Sequence, residues 1–149
     1  MAIDSTTWDT RLVTTNSSSV TLNYSTSFTN LITSNSFTLG TISPIKLSLN
    51  LIHQYEQGAT NVAYRFQLIN ASGTVVAGSN EMQVSKQGFG SNASFGAHNM
   101  HWTFYNSGAG TYTARVQGRN IGNSGTQAIT TYFSPNTQLN DQFVITYQA

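Results

Sequence analysis

Apolar residues recur at every second position over much of this chain. Val20, Leu22 and Tyr24 share one side of an extended segment, and Phe37 with Leu39 hints at another before Gly40. The longest run is Pro44 to His53, with Ile45, Leu47, Leu49 and Leu51 on one side and Lys46, Ser48 and Asn50 on the other. In the stretch from Val62 to Asn70, Val62, Tyr64, Phe66 and Leu68 are expected inward and Ala63, Arg65 and Gln67 outward. A period of two is the mark of a strand with one buried side.

The segments between these runs carry turn chemistry. Ala71-Ser72-Gly73 lets Thr74 to Ala77 return as a hairpin, and Glu81 to Val84 is a further short strand. Ser85 to Asn99, rich in Gly, Ser and Asn, reads as a long loop that carries Phe89 and Phe95. Met100, Trp102 and Phe104 then alternate with His101, Thr103 and Tyr105 up to a tight turn at Asn106 to Gly110. Thr111 to Asn120, Thr126 to Phe133 and Gln142 to Tyr147 complete eight to ten strands, with no helical period anywhere. Many short strands divided by turn signals predict an all-β, antiparallel β-sandwich or barrel in one domain, residues 19–149. Residues 1–18 lack a sustained period and read as an N-terminal arm ordered by a partner or a neighbouring subunit, anchored by Trp8. The alternative is that Trp8 tucks onto its own domain.

Apolar residues also fall on the outward sides, namely Ile52, Ile69, Tyr105, Tyr132 and Val144. A sheet face left in water should be polar. Some outer faces are therefore expected to be covered by other subunits.

Composition narrows the function. Charged residues make up 7% of the 149 residues, against about 25% in an ordinary soluble domain, and the net charge is +1. Arg11, Lys46, Arg65, Lys86, Arg115 and Arg119 are scattered along the chain, so no basic footprint for nucleic acid is expected. The five carboxylates are Asp4, Asp9, Glu56, Glu81 and Asp141, of which Glu56 and Glu81 offer the most plausible glycosidase pair. Solvated loop carboxylates are the better reading, and no enzyme is expected. His98 and His101 lie three apart, which on a strand sends them to opposite sides. A metal pair within one chain is not expected, although copies of His101 meeting on a threefold axis would share an ion. Gly88-Phe89-Gly90 precedes no helix and is no phosphate cradle. No cofactor is expected. The sequons at Asn16, Asn23, Asn70 and Asn92 are what a chain this rich in Asn, Ser and Thr produces by chance. No cysteine, secretory signal or run of about 18 apolar residues is present, and a chain starting at Met1 without an export signal is expected to be complete and to cross no membrane.

Gly110-Thr111-Tyr112-Thr113-Ala114-Arg115-Val116, followed by a Gly-rich loop, an outer strand and the closing strand Phe143-Val144-Ile145-Thr146-Tyr147, resembles the last three strands of the tumour necrosis factor-like jelly roll. That superfold includes complement globular heads and many phage virion modules. Trp102 to Thr113 is also similar to phage fibre and capsid-accessory sequences. The resemblance spans roughly residues 100 to 149, and it departs from the pattern at Ala114, where the family often has an aromatic. It implies jelly-roll topology and a compact homotrimer, with Tyr112 carried over as an interface residue; an ordinary core tyrosine is the alternative.

The resulting expectation is a non-enzymatic virion structural protein, a head decoration or cement protein of a tailed phage, made in the host cytoplasm and seated on the capsid surface. Its partners would be copies of itself and the major capsid protein or another virion protein. Tyr112, Tyr132 and Val144 are the candidate trimer contacts, and Trp8, Phe89 and Phe95 the candidate capsid or ligand contacts. The alternative is a lectin-like domain or fibre tip, in which Phe89 and Phe95 stack on the sugar rings of a host glycan.

Overall fold

A computed structural model describes residues 10–14, 19–23, 27–55, 61–85, 94–121, 129–132 and 143–148. The described residues form twelve strands and no helix: β1 (Thr10–Thr14), β2 (Ser19–Leu22), β3 (Thr29–Thr33), β4 (Phe37–Leu39), β5 (Ser43–Tyr55), β6 (Asn61–Asn70), β7 (Val75–Gly78), β8 (Met82–Ser85), β9 (Ser94–Ser107), β10 (Gly110–Asn120), β11 (Ile129–Tyr132) and β12 (Phe143–Tyr147). All pairings are antiparallel.

Several strands are two pieces of one row. β12 pairs Lys46 to Leu49 of β5 and β11 pairs Ile52 to Tyr55, while β1 and β2 line up in turn against β12 and β11. β3 and β4 both pair β10, and β7 and β8 both pair β6. Twelve strands thus reduce to eight rows in two sheets. One sheet orders its rows β1/β2, β12/β11, β5, β9, and the other β3/β4, β10, β6, β7/β8. The first row pairs the last, the second the seventh, the third the sixth and the fourth the fifth. This nesting of a long hairpin wound around itself is the jelly roll.

Inward side chains fill the space between the sheets, those of β5 and β6 as read from the sequence. Ile45, Leu47 and Leu49 of β5, Val62, Tyr64, Phe66 and Leu68 of β6, Ala114 and Val116 of β10, and Phe143, Ile145 and Tyr147 of β12 are all buried. The Phe66 and Phe143 rings stack across the two sheets with centroids 6.2 Å apart. Asn120 of β10, itself buried, donates from Nδ2 to the carbonyl of Leu22 in β2 at 3.3 Å, so a polar contact also joins the sheets.

Two expectations need correction. Thr10–Thr14, placed in the arm, is a strand paired along its length with β12, and Leu12 packs against the core. Ser94 to Asn99, placed in a loop for its Gly, Ser and Asn content, continues β9 along the second half of β5. Ala63 and Gln67 face outward as expected, yet both are buried. Register sets Arg119 opposite Ala63 and Arg115 opposite Gln67 on that face, and long basic side chains shield short neighbours with their methylene stems.

Candidate functional site

With the inward positions of β6 and β10 occupied by core residues, alternation puts Arg65 and Gln67 of β6 and Arg115, Gln117 and Arg119 of β10 on the outer face of the second sheet. Register sets Arg119 opposite Ala63, Gln117 opposite Arg65 and Arg115 opposite Gln67. Each glutamine then meets an arginine. Arg65 Nε donates to Gln117 Oε1 at 2.8 Å, and Arg115 Nε donates to Gln67 Oε1 at 2.7 Å. Gln117 in turn donates from Nε2 to Asn30 Oδ1 of β3 at 2.7 Å.

Phe28, just before β3, completes this lattice. Its ring centroid lies 4.0 Å from Cζ of Arg65 and 5.0 Å from Cζ of Arg119, within reach of cation–π attraction. Arg119 Nη2 also donates to both carboxylate oxygens of Glu81, at 3.0 and 2.9 Å. Three of the six basic residues therefore share one face with a single described carboxylate. Their scatter along the chain, read from the sequence as dispersal, is undone by strand register.

A second feature lies at one end of the sandwich. Pairing of Ser43 with Ser107, Gly110 with Leu39, Tyr112 with Asn70, and Ile69 with Val75 brings the turns at 40–42, 71–74 and 107–110 to that end. All four exposed large apolar side chains among the described residues gather there: Ile42, Val75, Val76 and Tyr105, the last 77% exposed. An open depression of about 400 Å³ between two of the turns is lined by Asn70, Ser72, Val76, Thr111 and Tyr112, among others. Asn70 Oδ1 accepts from the Ser72 and Thr74 amides, which holds its turn, and Gly73 supplies the positive φ of 82°.

Of the residues singled out in the sequence, Tyr112 is half-buried, donates its hydroxyl to the Gly108 carbonyl at 2.8 Å, and faces Phe37 with ring centroids 6.3 Å apart. It braces its own turn. Val144 is half-buried on β12 opposite Ser48 and Val13, and Ile69 is half-buried on β6. Tyr132 pairs Ile52 in the backbone ladder, and Phe95 pairs Gln54; their side chains lie outside the described part of the structure. Trp8, Phe89 and Glu56 lie outside the described residues. Glu81 is engaged by Arg119 on an outer face. His101 is exposed beside Trp102, Thr103 and Tyr105, which line a second shallow depression. No group of three or more metal-ligating side chains occurs among the described residues.

No protein-family model matches the chain, and no curated protein does. Solved structures do. A chain of the infectious bursal virus derived T=1 particles superposes with a TM-score of 0.52 at 9% identity, over 93% of this chain and 35% of that one. A chain of the infectious bursal disease virus Gt strain gives 0.48 at 12% identity, covering 94% and 37%. The enzymatically active domain of bacteriophage CBA120 tailspike protein 4 gives 0.32 at 12% identity, covering 90% and 19%. The chain spans little more than a third of the two bursal virus chains. At such identities the likeness is one of fold alone, the jelly-roll β-sandwich.

Proposed function

We propose that the chain is a non-enzymatic structural protein of a virion, a head decoration protein of a tailed phage that docks on the shell as a trimer. The observation that carries the reading is the apolar end. The jelly roll has already closed its core, and Ile42, Val75, Val76 and Tyr105 stand outside it with 42–77% of their surface exposed. Apolar residues gathered on one end and rimmed by polar turns are what a docking surface needs. The fold shared with the infectious bursal virus particle chain supports a place in a virion shell. Contact would form through this end, in addition to Trp8, Phe89 and Phe95, the contacts expected from the sequence.

The test is shell resistance. Capsids assembled without this protein should lose thermal and osmotic resistance and regain it when the purified chain is added, and light scattering should report a trimer. Unchanged resistance, or a monomer in solution, would overturn the reading.

A second reading is favoured by the depression beside Tyr112, where an aromatic ring, an amide and two hydroxyl side chains line an open site, the kind of surface that takes a neutral sugar. A glycan array separates the two. Saturable sugar binding lost in Tyr112→Ala, with shells indifferent to the protein, would make the chain a host-glycan binder.

A further inference from the structure

The arginine lattice on the outer face of the second sheet has no part in the docking end. Its composition is specific. An arginine held for packing or stability is ordinarily neutralised by a carboxylate, as Arg119 is by Glu81. Arg65 and Arg115 are held instead by the neutral side-chain carbonyls of Gln117 and Gln67. Both glutamines are themselves buried, at 7% and 9% exposure, so the guanidinium planes are fixed from beneath. Both bonds use Nε, and among the described residues no hydrogen bond engages the terminal Nη nitrogens of Arg65 or Arg115. Orientation has been supplied while the positive charge is left in place.

We infer that this face binds the carboxylates of an acidic polypeptide surface through the Nη edges of Arg65 and Arg115. A guanidinium offers two parallel N–H donors that match a carboxylate, and fixing the plane in advance removes the rotamer cost of forming that fork. The two arginines sit on diagonal positions of adjacent strands, which places their Cα atoms about 7–8 Å apart, a spacing suited to two separate acidic side chains. Phe28, stacked against Arg65, holds that cation over an apolar ring and keeps it from folding away. Arginine and aromatic side chains at the centre of a patch are also what protein interfaces enrich.

Charge and shape decide among occupants. Nucleic acid calls for a broad basic surface, and this chain has six basic residues and a net charge of +1. Small-molecule acids bind in concave sites, whereas the lattice is spread over the outer surface of a sheet. A protein surface that presents Asp or Glu side chains fits both constraints. The inference does not depend on the virion reading, because a chain that leaves shells unchanged would still be tested by its affinity for acidic polypeptide.

The experiment is binding of the full chain to immobilised poly-L-glutamate, with single-stranded DNA and heparin as parallel arms. Poly-L-glutamate should bind most tightly per unit charge, and the affinity should fall as salt rises from 50 to 300 mM, about. R65Q/R115Q should weaken binding by about tenfold or more, and R115K should lose most of that amount because a point charge cannot form the fork. K46Q, on the outer face of the other sheet, should bind as the parent does. Circular dichroism melting of every variant establishes that each is folded. Stronger binding to heparin or DNA, loss of binding equally in K46Q, or no poly-L-glutamate binding by the folded parent would each overturn the assignment.

Discussion

The position a Cβ would take on Gly118 lies 2.8 Å from Cδ1 of Leu31, and 3.2 Å from Leu22 Cδ1 and Tyr64 Cε1. Gly118 faces the core from β10, and the three neighbours come from both sheets. The pairing of β10 with β3 shifts register between Val116 and Gln117, so Leu31 and Ile32 are consecutive buried residues. Leu31 thereby reaches the place a side chain on residue 118 would need. Gly118→Ala should destabilise the fold by about 1–3 kcal/mol, the range for overpacking a closed core. Urea unfolding measures it, and a variant as stable as the parent would mean that the contact relaxes freely.

Ser34 stands where β3 gives way to β4 and acts as a piece of backbone. Its Oγ accepts from the Ala114 amide at 3.0 Å, and its own amide donates to the Ala114 carbonyl at 2.8 Å. Ser34→Ala leaves the buried Ala114 N–H without that acceptor, at a cost of about 1–3 kcal/mol. Differential scanning calorimetry should register a melting temperature lower by several degrees.

The Arg119–Glu81 pair predicts the opposite balance. Both carboxylate oxygens accept from the single Nη2, the side chains are 23% and 38% exposed, and exposed ion pairs contribute about 0–1 kcal/mol. Glu81→Gln should therefore cost less stability than Ser34→Ala, although it removes a formal charge pair. Chemical denaturation of the two variants side by side checks the order.

Ile42 and Tyr105, 69% and 77% exposed, should be replaceable without harm to the protomer. The double change Ile42→Ser, Tyr105→Ser is expected to alter unfolding free energy by no more than about 0.5 kcal/mol, as for surface sites without special contacts. The same change should weaken docking on shells, read by co-sedimentation with capsids. Undiminished co-sedimentation would remove this end from the docking surface.

Period-two patterning made β5, β6, the second half of β9, β10 and β12 legible, because a strand with one buried side writes that side into its own residues. β3 was missed for a local reason. The bulge that buries Leu31 and Ile32 in succession breaks the alternation. β1 escaped notice because Thr10–Thr14 is defined by its pairing with β12 more than by its own pattern. Of the candidate sites, Tyr112 was singled out as an interface residue from its motif alone, and its bond to Gly108 comes from the turn it folds against.

By itself the sequence determined that the chain is all-β and which sides of its main strands are buried, since both follow from the order of neighbouring residues. Only the tertiary structure decided which rows pair, that Ile42, Val75, Val76 and Tyr105 share one end, and that Arg65, Arg115 and Arg119 meet over Phe28. These are matters of register between segments far apart in the chain, set by how the two sheets close on one core, and no local pattern carries them.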